Sequence, residues 1–256
     1  MKPNIKQIVI LFVSLFFISC SSEEMISQST NLPEQQIVPP TTPDVPTTPI
    51  AKTINYLALG DSYTIGQSVC ETCRYPEQLK TRLTTIYPET SFSLKVIART
   101  GWTTRDLMSS INSQSLEQNY DLVTLLIGVN NQYQHQDFSV YKKEFPELLN
   151  KAIALAKGNN KNVIVLSIPD YVYTPFAKGY DETMKAKISA EIEEYNRFAE
   201  NFCNTKEVQF ISITSITQQG LINPSLVASD GLHPSETAYK LFVDKILNPV
   251  KLILQD

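Results

Sequence analysis

Short apolar segments alternate with longer segments of helical spacing from about residue 50 onward. The apolar segments are mostly continuous and rich in Val, Ile and Leu, which is typical of strands buried on both faces of a sheet. They cover residues 53–59, 92–98, 122–127, 163–168 and 208–213. The segments between and after them predict helices over residues 76–87, 104–111, 138–157, 181–203 and 235–254. This alternation predicts the α/β class, with a parallel five-stranded sheet covered by helices on both faces.

The first 19 residues have a different pattern. Lys2 and Lys6 precede an apolar run over residues 8–18, which is too short to span a bilayer and is typical of a secretory signal. The run ends in Ser19-Cys20, which resembles the lipobox of bacterial lipoproteins, and residues 21–24 resemble the acidic export signals of some surface lipoproteins. These resemblances imply an exported lipoprotein at the outer membrane or cell surface, anchored in the membrane by acyl chains on Cys20. A plain cleaved signal with an incidental cysteine is the alternative.

A proline-rich segment follows. Six prolines stand among threonines in residues 31–49, which excludes a helix or central strand and predicts an extended, semi-rigid tether. We therefore divide the chain into a lipoprotein signal peptide (residues 1–19), the lipidated cysteine with its tether (residues 20–50) and one globular domain (residues 51–256). About 205 residues suffice for a single buried core.

Charge and cysteine content restrict the possible ligands. The formal net charge is -4, and the basic residues form no cluster, so the sequence predicts no nucleic-acid partner. Export would favour a disulfide between Cys70 and Cys73, although inert thiols remain an alternative. A zinc site at this pair would need two more ligands, and the chain has only His135 and His233. We therefore predict no metal. His135 lies in a glutamine-rich polar loop and is expected at the surface or rim.

Four short segments carry the candidate chemistry: Gly60-Asp61-Ser62, Gly101, Gly128-Val129-Asn130-Asn131 and Asp230-Gly231-Leu232-His233. The first three follow the first three predicted strands. Because the carboxyl ends of parallel strands meet at one edge of a sheet, these three segments are expected to lie together.

Together these segments supply the groups that acyl transfer through a serine requires. Ser62 is the candidate nucleophile, His233 the base, and Asp230 the carboxylate that orients the imidazole. The backbone N–H groups of Ser62 and Gly101 and the side-chain amide of Asn130 would stabilise an oxyanion. Singly, each residue also suits an ordinary turn or helix cap.

The four segments resemble those of the SGNH hydrolases, also called the GDSL esterase/lipase family, and the resemblance covers about residues 54–247. It implies a flavodoxin-like, three-layer α/β/α fold, the roles just given for the five site residues, and no metal or organic cofactor. Tyr63 stands where the family name has leucine, and Asn131 where aspartate is usual. An α/β-hydrolase is disfavoured, because Thr64 replaces the second glycine of the Gly-x-Ser-x-Gly elbow.

The predicted function is a serine esterase that cleaves acetylated polysaccharide, or short-chain acyl or lipid esters, outside the cytoplasm. Trp102, Tyr63 and Tyr133 are candidate substrate contacts, with Trp102 the first choice. Arg99 and Arg105 flank Trp102 and would favour an anionic substrate group. Two alternatives stay open: a non-catalytic surface lipoprotein that binds glycan or protein, and an acyltransferase. The sequence leaves the oligomeric state undetermined.

Overall fold

A computed structural model of the protein describes residues 53–255, and within them five parallel strands form one sheet. The strands are β1 (Thr53–Gly60), β2 (Ser91–Ala98), β3 (Leu122–Leu126), β4 (Val163–Leu166) and β5 (Gln209–Ile211). Their order across the sheet is β2-β1-β3-β4-β5, which is the flavodoxin-like order. The predicted signal peptide, Cys20 and the tether lie outside the described residues.

Eight α-helices occur in the same part of the chain: α1 (Ser62–Ile65), α2 (Tyr75–Ile86), α3 (Thr104–Asn112), α4 (Val129–Tyr133), α5 (Phe138–Leu155), α6 (Glu182–Thr205), α7 (Thr214–Thr217) and α8 (Glu236–Gln255). The five predicted helices correspond to α2, α3, α5, α6 and α8, with ends within two residues of those predicted. None of the helices in residues 53–255 has the length and apolar character needed to cross a membrane.

The helices form two layers. Helix α2 packs against α8, whereas α5 packs against both α3 and α6. The chain leaves β1 toward β2 on one side and continues through β3, β4 and β5 on the other, so right-handed crossovers place the connecting helices on opposite faces. Strands β3 and β4 are buried along their whole length, as the continuous apolar runs predict. The predicted α/β/α fold is confirmed.

Strands β4 and β5 end earlier than predicted, at Leu166 and Ile211. Ser167 ends the ladder there, because its Oγ accepts hydrogen bonds from the backbone N–H groups of Ile213 (2.8 Å) and Thr214 (3.1 Å). The Ser167 hydroxyl thereby takes the place of the backbone acceptors that regular strand pairing would provide. The apolar run in the sequence continues past this point and gives no sign of the change.

Candidate active site

Three strand ends lie level at the carboxyl edge of the sheet. Gly60, the last residue of β1, pairs with Ala98 of β2 on one side and Leu126 of β3 on the other. A Cβ on Gly60 would lie 2.4 Å from the Leu126 carbonyl oxygen and 2.1 Å from Thr64 Oγ1, so only glycine fits between β3 and α1. The segments that follow these three strands therefore begin side by side, as predicted.

Ser62 begins helix α1 directly beyond β1. Asp61 caps this helix by accepting a 2.9 Å hydrogen bond from the backbone N–H of Tyr63 through Oδ1. Asp61 is fully buried, and burial raises the pKa of its carboxyl to about 7 against the lowering effect of that hydrogen bond. Ser62 is 3% exposed and lines a cavity.

His233 and Asp230 form a tight pair on the loop that precedes α8. The imidazole Nδ1 lies 2.6 Å from Asp230 Oδ2, while the backbone N–H groups of Leu232 and His233 donate to Asp230 Oδ1. Ser68 Oγ donates to Asp230 Oδ2 at 2.6 Å. Burial raises the pKa of Asp230, but the hydrogen bonds from Ser68, His233 and Leu232 outweigh it and lower the pKa to about 2. Asp230 is therefore held as a carboxylate beside the imidazole.

A cavity of about 210 Å³ brings Ser62, Gly101, Asn130 and His233 together. Because Asp230 occupies Nδ1, the Nε2 atom is the imidazole nitrogen left to face the serine. Within residues 53–255 no hydrogen bond joins Ser62 Oγ to this ring. In unliganded catalytic sites the distance between nucleophile and base is often longer than a hydrogen bond. The Tyr63 ring centroid lies 5.2 Å from that of His233 and forms part of the same wall.

Gly101 and Asn130 lie on either side of Ser62, after β2 and β3 respectively. Gly101 has a φ of 83°, a left-handed conformation that favours glycine. In the described part of the chain, the backbone N–H groups of Ser62 and Gly101 donate to no protein acceptor. Asn130 Nδ2 donates one hydrogen to the Trp102 carbonyl at 3.0 Å, and its second hydrogen remains available to a ligand.

Asn131, at the position where the family usually has aspartate, lies fully buried beneath this edge. Its Oδ1 accepts from the backbone N–H of Thr104 at 3.0 Å, and its Nδ2 donates to Thr104 Oγ1 at 2.7 Å and to Gln136 Oε1 at 3.1 Å. Thr104 Oγ1 in turn donates to Glu144 Oε2 at 2.5 Å. An amide is needed at position 131 because the same side chain both donates and accepts.

The predicted substrate contacts separate into two groups. Tyr63 and Tyr133 line the cavity at Ser62. Trp102 is not among the lining residues, since its side chain packs against the hydrophobic core and only its carbonyl meets Asn130. Arg105 does not line this cavity either, and its guanidinium donates two hydrogen bonds to Glu144 Oε1, at 3.0 and 2.9 Å.

The cysteines occupy two environments. Cys70 and Cys73 are joined by a disulfide in the loop between α1 and α2. Cys203 is buried in α6, and burial raises the pKa of its thiol to about 12, which makes it unreactive near neutral pH. Residues 53–255 contain no cluster of three or more His, Cys, Asp or Glu side chains arranged to bind a metal ion.

Ser68 was not predicted from the sequence. It has a φ of 67°, which is uncommon for a residue other than glycine, and it reaches Asp230 across 162 residues of chain. A lone serine in a polar loop carries no recognisable signal, because only the folded position of Asp230 gives it a partner.

One cavity at the carboxyl edge of the doubly wound sheet thus holds a serine, a carboxylate–imidazole pair and free N–H donors. These are the groups that acyl transfer through a serine requires. Residues 58–241 match the GDSL-like lipase/acylhydrolase family. The chain belongs to this family and is a hydrolase acting on ester bonds. None of the curated proteins compared with the chain matches it.

Several solved structures share the fold. An acetylxylan esterase from Geobacillus stearothermophilus is 19% identical, with a TM-score of 0.58 over 80% of this chain and 96% of that one. A lipase/acylhydrolase from Enterococcus faecalis is 18% identical, with a TM-score of 0.60 over 78% of this chain and 97% of that one. A member of the lipolytic G-D-S-L family from Veillonella parvula is 16% identical, with a TM-score of 0.56 over 76% and 97%. At these identities the likeness establishes the fold alone.

Proposed function

We propose that the protein is a serine esterase that forms an acyl-enzyme on Ser62. His233 Nε2 takes the Oγ proton as Oγ attacks the ester carbonyl carbon, and the tetrahedral intermediate expels the alcohol, which receives that proton. Water then attacks the acyl-enzyme and gives its proton to His233. Collapse of the second intermediate releases the carboxylic acid and returns the proton to Ser62.

The observation that carries this proposal is the shared cavity of Ser62 and His233, with Asp230 Oδ2 2.6 Å from Nδ1. That contact selects the tautomer with a free Nε2 and stabilises the imidazolium that forms. The free N–H groups of Ser62 and Gly101 and the second amide hydrogen of Asn130 supply the oxyanion donors. Removing one such donor from comparable sites costs roughly 3 kcal/mol.

The proposed substrates are acetylated polysaccharide or short-chain acyl esters. A cavity of about 210 Å³ at the serine suits a small acyl group. The fold neighbour described as an acetylxylan esterase supports acetyl esters by analogy. We also propose export and anchoring through Cys20, on the pattern of residues 1–24. Metabolic labelling with palmitate tests the anchor, which is excluded if the label persists in a Cys20→Ala variant.

Hydrolysis of p-nitrophenyl esters of increasing chain length tests the reaction. We expect Ser62→Ala to abolish turnover and His233→Ala to reduce it about 10³-fold or more. Ser113→Ala is the matched control, because Ser113 is exposed at the C-terminal end of α3, away from the carboxyl edge of the sheet, and its hydroxyl donates to the Ser110 carbonyl. A fluorophosphonate probe should label wild type but not Ser62→Ala. Ester turnover that survives Ser62→Ala would exclude the acyl-enzyme.

A further inference from the structure

A second cavity adjoins the cavity at Ser62 and is more than twice as large, about 480 Å³ against 210 Å³. Tyr133 and Tyr171 line both, so they form the boundary between them. The far wall of this outer cavity is formed by Asp181, which caps α6, and by the first turns of α6 as far as Glu191. A ligand bound there would therefore lie next to the proposed reaction centre.

Four aromatic rings surround the boundary. Tyr133 meets Tyr171 edge-on at 5.7 Å between centroids, and Phe176 lies 6.1 Å from Tyr133, 6.2 Å from Tyr171 and 6.2 Å from Tyr180. Tyr133 is 46% exposed, so its ring face is available for contact. Aromatic faces left open in a cavity commonly stack against the C–H faces of a ligand ring.

One of these four rings, Tyr171, is fixed by hydrogen bonds. Tyr171 OH donates to Gln132 Oε1 at 2.9 Å, and Gln132 Nε2 donates to Glu191 Oε2 at 2.7 Å. Tyr171 and Gln132 are both buried, so this chain of hydrogen bonds fixes the ring before any ligand arrives. A preformed wall lowers the entropic cost of binding.

Beyond the aromatic rings, the outer cavity combines apolar side chains with polar side chains of both charge signs. Met184 and Ile188 line it together with His135, Asp181, Thr183, Lys187 and Glu191. An alkyl chain would contact Met184 and Ile188 but would give the polar side chains no hydrogen bonds. A neutral, polyhydroxylated ligand would pair with them. The mixture of Lys187 with two acidic side chains gives no preference for an anion.

We propose that the outer cavity binds the sugar chain of an acetylated, neutral oligosaccharide, while the acetyl group to be cleaved occupies the cavity at Ser62. The inference rests on the proposed esterase function, selects one of its two proposed substrate classes and assigns the sugar chain to a cavity. The acyl chain then needs little room, and the alcohol side of the ester provides most of the contacts. Tyr180 and Lys187 contribute to the outer cavity alone.

Binding to the Ser62→Ala protein tests the site without requiring turnover. Xylotetraose and cellotetraose are the probes, titrated by NMR to about 10 mM, the range of weak single-site binding. We expect saturable binding of at least one probe, weakened about tenfold by Tyr180→Ala, as loss of an aromatic contact implies. Lys187→Ala, an exposed side chain that cannot disturb folding, should weaken it as well. Tyr173→Ala is the control, because Tyr173 is 37% exposed but lines neither cavity.

Kinetics with the active protein separate this inference from the proposed function. We expect Tyr180→Ala to lower the ratio of kcat/KM for acetylated xylo-oligosaccharides to that for p-nitrophenyl acetate about tenfold. No saturable binding of either probe, or an unchanged ratio, overturns the sugar site while leaving the esterase intact. A selective loss of p-nitrophenyl octanoate turnover overturns it too, because the outer cavity would then hold an acyl chain. Absence of any Ser62-dependent turnover contradicts the esterase instead.

Discussion

Ser68 Oγ donates a 2.6 Å hydrogen bond to Asp230 Oδ2, the same oxygen that lies 2.6 Å from His233 Nδ1. The two backbone N–H groups of the loop hold the other carboxylate oxygen, Oδ1. Asp230 is thus fixed through both oxygens, and its plane sets the direction of the imidazole. Ser68 acts on the proposed base through Asp230, so it is a positioning residue.

Replacing Ser68 with alanine should lower kcat for p-nitrophenyl acetate about tenfold and change KM little, because one hydrogen bond to a charged group contributes about 1.5–3 kcal/mol. Ser113→Ala should leave both constants at the wild-type values. Steady-state kinetics of wild type, Ser68→Ala and Ser113→Ala tests this prediction. A Ser68→Ala enzyme with wild-type kcat would show that the loop backbone alone positions Asp230.

The same hydrogen bond lowers the pKa of Asp230, which has a consequence for acid stability. Because the pKa of Asp230 is about 2 in the folded protein, below its usual value, the ionised carboxyl stabilises the fold at pH values above the usual carboxyl pKa. This stabilisation is lost as the pH falls toward 2. Ser68→Ala should therefore be less stable than wild type at pH 7, and the difference should shrink on approach to pH 2. Urea unfolding across this range measures it. A difference independent of pH would exclude the link to Asp230.

The disulfide two residues after Ser68 should also affect the site. It closes a very short loop, so removing it with Cys70→Ser and Cys73→Ser should cost about 2 kcal/mol at most. Its larger effect is expected on kcat, because the loop that presents Ser68 becomes less restricted. Reduced wild-type protein, in which the same loop is opened without a substitution, provides the control. Equal kcat for oxidised protein and the double variant would show that Ser68 needs no such constraint.

The positions of Ser62, Gly101 and Asn130 could be predicted from the sequence because each follows a continuous apolar run. Parallel pairing then brings their segments to one edge whatever the details of packing. Asp230 and His233 could be placed on one loop by their spacing. The pattern could not predict which way a side chain points. Trp102 follows Gly101 along the chain, yet its ring packs against the core.

Two supporting features depend on tertiary contacts and have no sequence pattern. Ser68 gains its partner only when residues 162 positions apart meet. From the sequence, Asn131 only departs from the family's usual aspartate. Its hydrogen bond to Thr104, which donates in turn to Glu144, explains why an amide is needed there. Local spacing predicts which elements form, while hydrogen bonds between distant segments decide which polar side chain each position requires.

The buried carboxyl of Asp61 should make the stability of the protein depend on pH in an unusual direction. Its Oδ2 atom has no hydrogen-bond partner within residues 53–255, and burial raises the pKa of the carboxyl to about 7. Between about pH 4 and pH 7 the unfolded chain has released this proton while the folded protein keeps it, so stability falls as pH rises through that window. Asp61→Asn should remove the effect and become more stable than wild type by a few kcal/mol at pH 8.

Urea unfolding at pH 4, 6 and 8 tests the prediction, with Asp137→Asn as the matched control. Asp137 also caps a helix, but hydrogen bonds from Ser139 lower the pKa of its exposed carboxyl. Its contribution has the opposite sign and is lost as pH falls. If the stability difference between Asp61→Asn and wild type does not grow from pH 4 to pH 8, folding does not raise the pKa of Asp61.

Asn131→Asp, which restores the family's usual residue, should destabilise this protein. Thr104 Oγ1 gives its hydrogen to Glu144, so it can only accept from position 131, and a carboxylate there has no hydrogen to donate. We expect a loss of about 2 kcal/mol in urea unfolding at pH 8 and a lower kcat, because the adjacent Asn130 shifts. Adding Glu144→Gln should recover part of the stability, since its amide can donate to Thr104. Exposed Asn159→Asp serves as the control, and wild-type stability for Asn131→Asp would contradict the network.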